Sequence, residues 1–289
     1  MIRLISQCAA LIVGAWFSGA AMAAGSSYAL DRFPVEKLTD QAALQNGAKL
    51  FVNYCLNCHG ASAMRYNRLR DIGLADDQIS RNLIFTGQKV GESMKVALRA
   101  SDAKEWFGAL PPDLSLTARS RASGDGTGAD WIYTYLRAYY RDSTRSTGWN
   151  NALFENVGMP HVLWTLQGQR GQTSEEIRQS SDPKTGKADG MTRTTVSFDV
   201  DGFRTTTTEK IAAGSAAVGT TVKFGKPEGG SLSAADYDSQ VGDLVAFLTY
   251  MSDPTAGTRV KLGAWVLIFL ALFTVFAWNL NRVYWKDIK

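Results

Sequence analysis

Soft metal ligands are scarce in this chain. Its 289 residues include only two His and three Cys, too few for a disulfide scaffold or a zinc cluster and enough for one metal centre. No run of Lys or Arg occurs, and the formal net charge is only +4, so nothing points to nucleic acid. Charged residues make up 20% and apolar residues 45%. That balance excludes a wholly disordered chain and a polytopic membrane protein. No internal repeat is visible. What remains is a chain long enough to bury a real core in one or two domains.

Both ends carry membrane signals. After Arg3, residues 4–17 are apolar and lead into the small residues of Gly19-Ala20-Ala21-Met22-Ala23. One positive charge, a short apolar core and a small-x-small site predict a secretory signal over residues 1–23. Near the other end, residues 262–280 are uncharged and almost wholly apolar, long enough for a membrane-spanning helix. Trp265, Trp278, Tyr284 and Trp285 flank it as an aromatic belt. An exported, tethered body is expected: residues 24–258 in the bacterial periplasm, a single-pass anchor over 259–281 in the inner membrane, and a cytoplasmic tail over 282–289.

The chemistry is concentrated in Cys55-Leu56-Asn57-Cys58-His59. A C-x-x-C-H run is the pattern for covalent haem attachment, with the adjacent His as iron ligand. Two thiols three positions apart reach the two vinyl groups on one porphyrin edge. A thioredoxin-like pair would need a preceding strand, whereas residues 41–54 have apolar positions at helical spacing. A zinc knuckle would need further Cys or His. The single motif predicts one haem c.

Pure electron transfer requires a sixth iron ligand. Met159 sits in Gly158-Met159-Pro160, a loop able to hold a thioether rigidly. His161, two residues on, is the rival. Met251 reads as helix core, Met64 is too near the attachment site, and Met94 and Met191 complete the set. Residues 110–115 (LPPDLS) form a rigid extended turn that could pack edge-on against a haem. Arg119 or Arg121 could pair with a haem propionate. Residues 130–141 and 233–251 read as helices, with Asp253-Pro254 ending the second. Residues 168–230 change character: rich in Gly, Ser, Thr and Lys, they read as a surface excursion carrying one β-hairpin around Asp201-Gly202.

Taken in order, these segments resemble the cytochrome c1 family, the haem subunit of the cytochrome bc1 complex. The residues that carry the likeness are Cys55-x-x-Cys58-His59, Arg65-Tyr66-Asn67-Arg68-Leu69, Trp106 through Pro111-Pro112-Asp113-Leu114-Ser115, Met159-Pro160 and the late anchor. The resemblance implies a mainly α, cytochrome c-like haem domain with irregular insertions, including the β-hairpin, plus one C-terminal transmembrane helix. It implies Cys55 and Cys58 as haem attachment points, His59 and Met159 as axial ligands, Pro112 against the haem and Arg121 on a propionate. The implied partners are cytochrome b, a Rieske iron–sulfur protein as donor, a soluble cytochrome c as acceptor, and the lipid bilayer, in a dimeric complex. On that reading the chain is a redox subunit and no enzyme on its own. Trp106 and Trp131 depart from vertebrate members, which carry Asn and Tyr there, and residues 168–230 are longer. An anchored c-type cytochrome serving a terminal oxidase is the alternative reading.

Overall fold

The computed structural model describes residues 28–96, 98–181 and 188–286. The expected signal over 1–23, and the last three residues of the expected tail, lie outside them. In chain order the helices are α1 (Gln41–Leu50), α2 (Asp76–Asn82), α3 (Ala100–Phe107), α4 (Thr117–Ser120), α5 (Gly128–Arg137), α6 (Trp164–Gln167), α7 (Ala234–Ser252) and α8 (Ala256–Tyr284). The strands are β1 (Ala61–Arg65), β2 (Ser93–Met94), β3 (Tyr139–Arg141), β4 (Trp149–Asn151), β5 (Gln172–Ser181), β6 (Ala188–Phe198), β7 (Arg204–Ile211) and β8 (Gly219–Phe224).

The core is a helix crossing. Asp40 starts α1 by accepting from the amides of Ala42 and Ala43, satisfying donors that a helix start leaves free. Ala43, Leu44, Gly47 and Ala48 are buried along one stripe, as a helical period requires. That stripe meets α7, whose Val241, Leu244, Val245 and Leu248 are buried in turn. Phe51 and Phe247 pack with ring centroids 5.7 Å apart. At the rim of the crossing, buried Asp243 accepts from Lys37 at 2.5 Å and from Asn46 at 2.7 Å. α5 completes the core with Ile132 and Leu136. The expected helix over 130–141 therefore exists but ends at Arg137. Residues 139–141 leave it to pair with β4 in the register Tyr139↔Asn151, Arg141↔Trp149.

Residues 168–230 correct the sequence-based expectation of a single hairpin. They build a four-stranded antiparallel sheet in the order β7-β6-β5-β8, so the chain is mixed helix and strand rather than mainly α. The expected hairpin is real: β6 and β7 pair around a turn in which Asp199 accepts from the amides of Asp201 and Phe203. Strands β5 and β8 were hidden because β5 is almost wholly polar, with Ile177 its one large apolar residue, and β8 is short, with only Val222 and Phe224 in alternation. Cross-strand chemistry holds the sheet instead. Arg193 on β6 bridges Glu175 on β5 at 3.2 Å and Glu209 on β7 at 2.7 Å, and Thr194 faces Thr208.

The sheet is fastened to the helical core by Arg170. Its Nε donates to the Tyr139 carbonyl at 3.0 Å, its Nη2 donates to the Arg137 carbonyl, and its guanidinium lies 3.9 Å from the Phe224 ring centroid. Helix α8 leaves the body after Asp253, which pairs with Arg259. It runs 29 residues, and its most apolar stretch has a mean hydropathy of 2.2 with none of that stretch buried. At 1.5 Å per residue it is about 44 Å long, enough to cross a hydrocarbon core of about 30 Å.

Candidate haem site

The attachment motif is shaped by the end of α1. Residues Phe51–Cys55 form a wider helical turn in which the Leu56 amide reaches back five residues to the Phe51 carbonyl at 3.0 Å, a distortion often found at functional sites. The His59 amide then bonds to the Cys55 carbonyl at 2.8 Å. This folds the five-residue motif tightly enough to turn both thiols and the imidazole toward one cavity.

His59 Nδ1 lies 2.7 Å from the Pro112 carbonyl oxygen. A carbonyl only accepts, so Nδ1 carries the proton and Nε2 keeps its lone pair for a metal. The Pro-Pro segment is itself clamped to the chain just after His59. Leu114 donates to the Gly60 carbonyl at 2.8 Å. Asp113 accepts from the Ser62 amide at 2.7 Å and the Ser115 amide at 2.8 Å. Burial of Asp113 opposes its charge, but these hydrogen bonds win and hold its carboxyl below the usual range. Burial also lowers the His59 pKa, which favours the neutral, ligating form.

A cavity of about 410 Å³ opens between these elements, within the range of small-molecule sites. Cys55, Cys58, His59, Pro112, Arg121 and Met159 all line it, among apolar walls that include Leu244 and Leu248 of α7. Burial and the neighbouring Cys58 push the Cys55 thiol up to about 12. The Arg121 guanidinium lies 4.3 Å from the Trp131 ring centroid. Met159 is carried by a loop pinned by three asparagines. Asn151 accepts from the Leu153 and Phe154 amides and donates to the Tyr135 carbonyl at 2.8 Å. Asn150 accepts from the Asn156 amide at 2.9 Å. Asn156 adopts a left-handed φ of 61°, a conformation Asn tolerates better than most residues.

The rival ligands are placed elsewhere. His161 is 2% exposed, stacks on Tyr139 at 4.7 Å and bonds Gln167 at 2.7 Å. Burial holds its pKa down to about 3, and it does not line the cavity. Met64, Met94, Met191 and Met251 are buried outside it. Among the described methionines, Met159 is the one on the cavity wall. Arg119, the alternative propionate partner, is also absent from the lining.

Sequence reasoning passed over two tyrosines. The Tyr135 hydroxyl lies 3.5 Å from Met159 Sδ, and the Tyr139 hydroxyl lies 2.8 Å from that of Tyr135. The signal was present: Trp131, Tyr135 and Tyr139 recur every four residues, which places aromatics on one side of α5 and its continuation.

A model of the cytochrome C1 family matches residues 93–288. The match begins downstream of Cys55–His59, so it rests on the Pro-Pro, Met159 and anchor segments independently of the attachment motif. The chain belongs to the cytochrome c1 family. It is 37% identical to cytochrome c1 of Allochromatium vinosum over 93% of this chain and 93% of that one. It is 26% identical to cytochrome c1 of Rhodospirillum rubrum over 86% of this chain and 83% of that one. It is also 39% identical to a protein of Nitrosomonas europaea named ammonia monooxygenase gamma subunit, over 93% of this chain and 92% of that one.

Members of the cytochrome c1 family are c-type haem proteins and electron-transfer subunits of the bc1 complex. The residues here fit such a group by their donor chemistry. Two thiols, an imidazole with a committed Nδ1 and a thioether meet on one apolar cavity, and the cationic Arg121 stands on the same wall.

Proposed function

We propose that this chain takes one electron from a Rieske iron–sulfur protein and passes it to a soluble cytochrome c, as part of a dimeric quinol–cytochrome c oxidoreductase that also contains cytochrome b. The observation that carries this reading is the convergence of Cys55, Cys58, His59 and Met159 on one cavity. A bound haem c supplies the one-electron ferric/ferrous couple. Cys55 and Cys58 would hold it through their thiols. His59 presents Nε2 because Pro112 occupies Nδ1. Met159 would offer its sulfur from the Asn-pinned loop, and Arg121 would pair with a carboxylate of the group.

The protein's contribution is to fix the potential. A thioether favours ferrous iron relative to a second imidazole, and apolar walls disfavour the extra charge of the ferric state. The His59 imidazole and the Met159 thioether would both serve as ligands to a bound haem iron, a pair suited to electron transfer. The body lies on the outer face of the cell membrane, α8 spans it, and the short tail stays inside. Support for this orientation comes from the apolar N-terminal stretch with its small-residue site and from the length of α8.

The test is purification from membranes in mild detergent, with haem staining after denaturing electrophoresis. Stained haem on this chain, together with cytochrome b and a Rieske protein in the same fraction, is the expected result. A colourless band removes the haem reading. A stained band that copurifies with a terminal oxidase or with monooxygenase subunits removes the assignment of partners.

A further inference from the structure

The hydroxyls of Tyr135 and Tyr139 end at the sulfur of Met159, and their protons can be counted. Tyr139 has one hydrogen and two acceptors in reach, the Tyr135 oxygen at 2.8 Å and the Met159 carbonyl at 3.2 Å. The shorter contact takes it. With its own oxygen accepting from Tyr139, Tyr135 directs its hydrogen to Met159 Sδ at 3.5 Å. The pair is therefore a one-way chain, Tyr139 to Tyr135 to sulfur.

Neither ring is free to turn away. Tyr135 stacks on Trp131 at 4.9 Å with the planes 13° apart, and Trp131 is covered on the cavity side by Arg121. Tyr139 is fully buried and stacks on His161 at 4.7 Å with the planes 6° apart. His161 in turn is fixed by Gln167. This gives His161 a structural task two residues from Met159: it holds the tyrosine that holds the hydroxyl.

We propose that Tyr135 and Tyr139 are positioning residues that set the donor strength of the Met159 sulfur, and through it the balance between the two oxidation states of the bound haem. The proposal rests on the reading of Met159 as an axial ligand. A thioether has two lone pairs and is a weak acceptor. When one pair binds iron, a hydrogen bond to the other draws electron density from the sulfur and weakens its stabilisation of ferric iron, as hydrogen bonds beyond the ligand shell do at other metal sites. The hydroxyl chain thus shifts the equilibrium toward the ferrous form with no proton gained or lost.

The test is a redox titration of the holoprotein in its complex for Tyr135→Phe, Tyr139→Phe and the double variant, with Met159→Leu as the ligand control. Each Tyr→Phe change keeps the stacked ring and removes only the hydroxyl. Tyr135→Phe moves the ferric/ferrous equilibrium toward ferric by about two- to tenfold, the span of one hydrogen bond, and shifts the sulfur–iron charge-transfer absorption. Tyr139→Phe moves both in the same direction by less. The double variant matches Tyr135→Phe alone, because Tyr139 acts only through Tyr135. An unchanged equilibrium in Tyr135→Phe, in a protein whose absorption is lost in Met159→Leu, overturns the proposal and leaves the ligand assignment standing. An additive double variant overturns the role of Tyr139. Should Tyr135→Phe fail to retain haem, an unshifted Tyr139→Phe overturns the proposal. Persistence of the absorption in Met159→Leu removes the ligand assignment itself, and the proposal falls with it.

Discussion

Gly47 lies directly against the backbone of Asp243. A β carbon on Gly47 would stand 2.1 Å from the Asp243 carbonyl oxygen and 2.7 Å from the β carbon of Phe247. The helix that leads into the attachment motif and the helix that supplies Leu244 and Leu248 to the cavity wall therefore touch backbone to backbone. Gly47→Ala forces them apart. The expected cost is about 1–3 kcal/mol, the range for overpacking a close contact, read as a fall in melting temperature. Retained wild-type stability would mean that the crossing has more freedom than the contact distances allow.

The proposed ligand Met159 is separable from its neighbour His161 by two substitutions. Met159→Leu abolishes the sulfur–iron charge-transfer absorption. His161→Ala keeps it, because His161 stacks against Tyr139 and bonds Gln167 away from the cavity. His161→Ala instead lowers stability by roughly 2–4 kcal/mol, through a cavity and an unpaired Gln167. Optical spectra and thermal melts of both variants make the check.

Asp130 gives the fold an acid-sensitive joint. It is 4% exposed and accepts from the Phe33 amide at 2.8 Å, the Thr127 amide at 2.9 Å and the Thr127 hydroxyl at 2.7 Å. Burial raises its pKa, but these donors and Arg32 outweigh burial, and the net shift is downward. A depressed folded pKa means that the contribution is complete above the unfolded value of about 4 and is lost as pH falls through the folded one. Melting temperatures of wild type and Asp130→Asn should differ at pH 7 and draw together as pH falls below the usual carboxylate range. A constant gap across that range would show that Asp130 does not carry the acid dependence.

Arg170 is the fastening of the β5–β8 sheet. Burial pulls its pKa down to about 10, so it remains charged at neutral pH while donating to the carbonyls of Tyr139 and Arg137. Arg170→Met leaves both carbonyls without that donor and loses the contact with Phe224. Hydrogen exchange is expected to speed up in β5 and β8 while α1 and α7 keep their protection. Uniform acceleration across the chain would indicate that the sheet and the helical core unfold as one unit.

Much of the site was legible from local pattern. The meeting of Cys55, Cys58 and His59 on one cavity was legible because both thiols and the imidazole follow one another within a turn, and α1 was legible from its apolar stripe. The anchor was legible because a span across hydrocarbon requires a long uncharged run, and α8 contains one. Of the sheet only the β6–β7 hairpin was legible, because β5 is almost wholly polar and joins β6 through Glu175–Arg193, and β8 is short. Nothing local distinguishes such strands from a loop.

By residue type alone, Met159 and His161 were both able to serve as the second ligand, and only the family resemblance favoured Met159. Only the tertiary structure turned Met159 into the cavity and sealed His161 behind Tyr139. It also brought Pro112, 53 positions away, onto His59 Nδ1, and Tyr135 onto the Met159 sulfur. The physical reason is range. Covalent attachment and membrane insertion depend on neighbours within a turn or a run, whereas ligand choice and tautomer depend on partners that the chain must fold to meet.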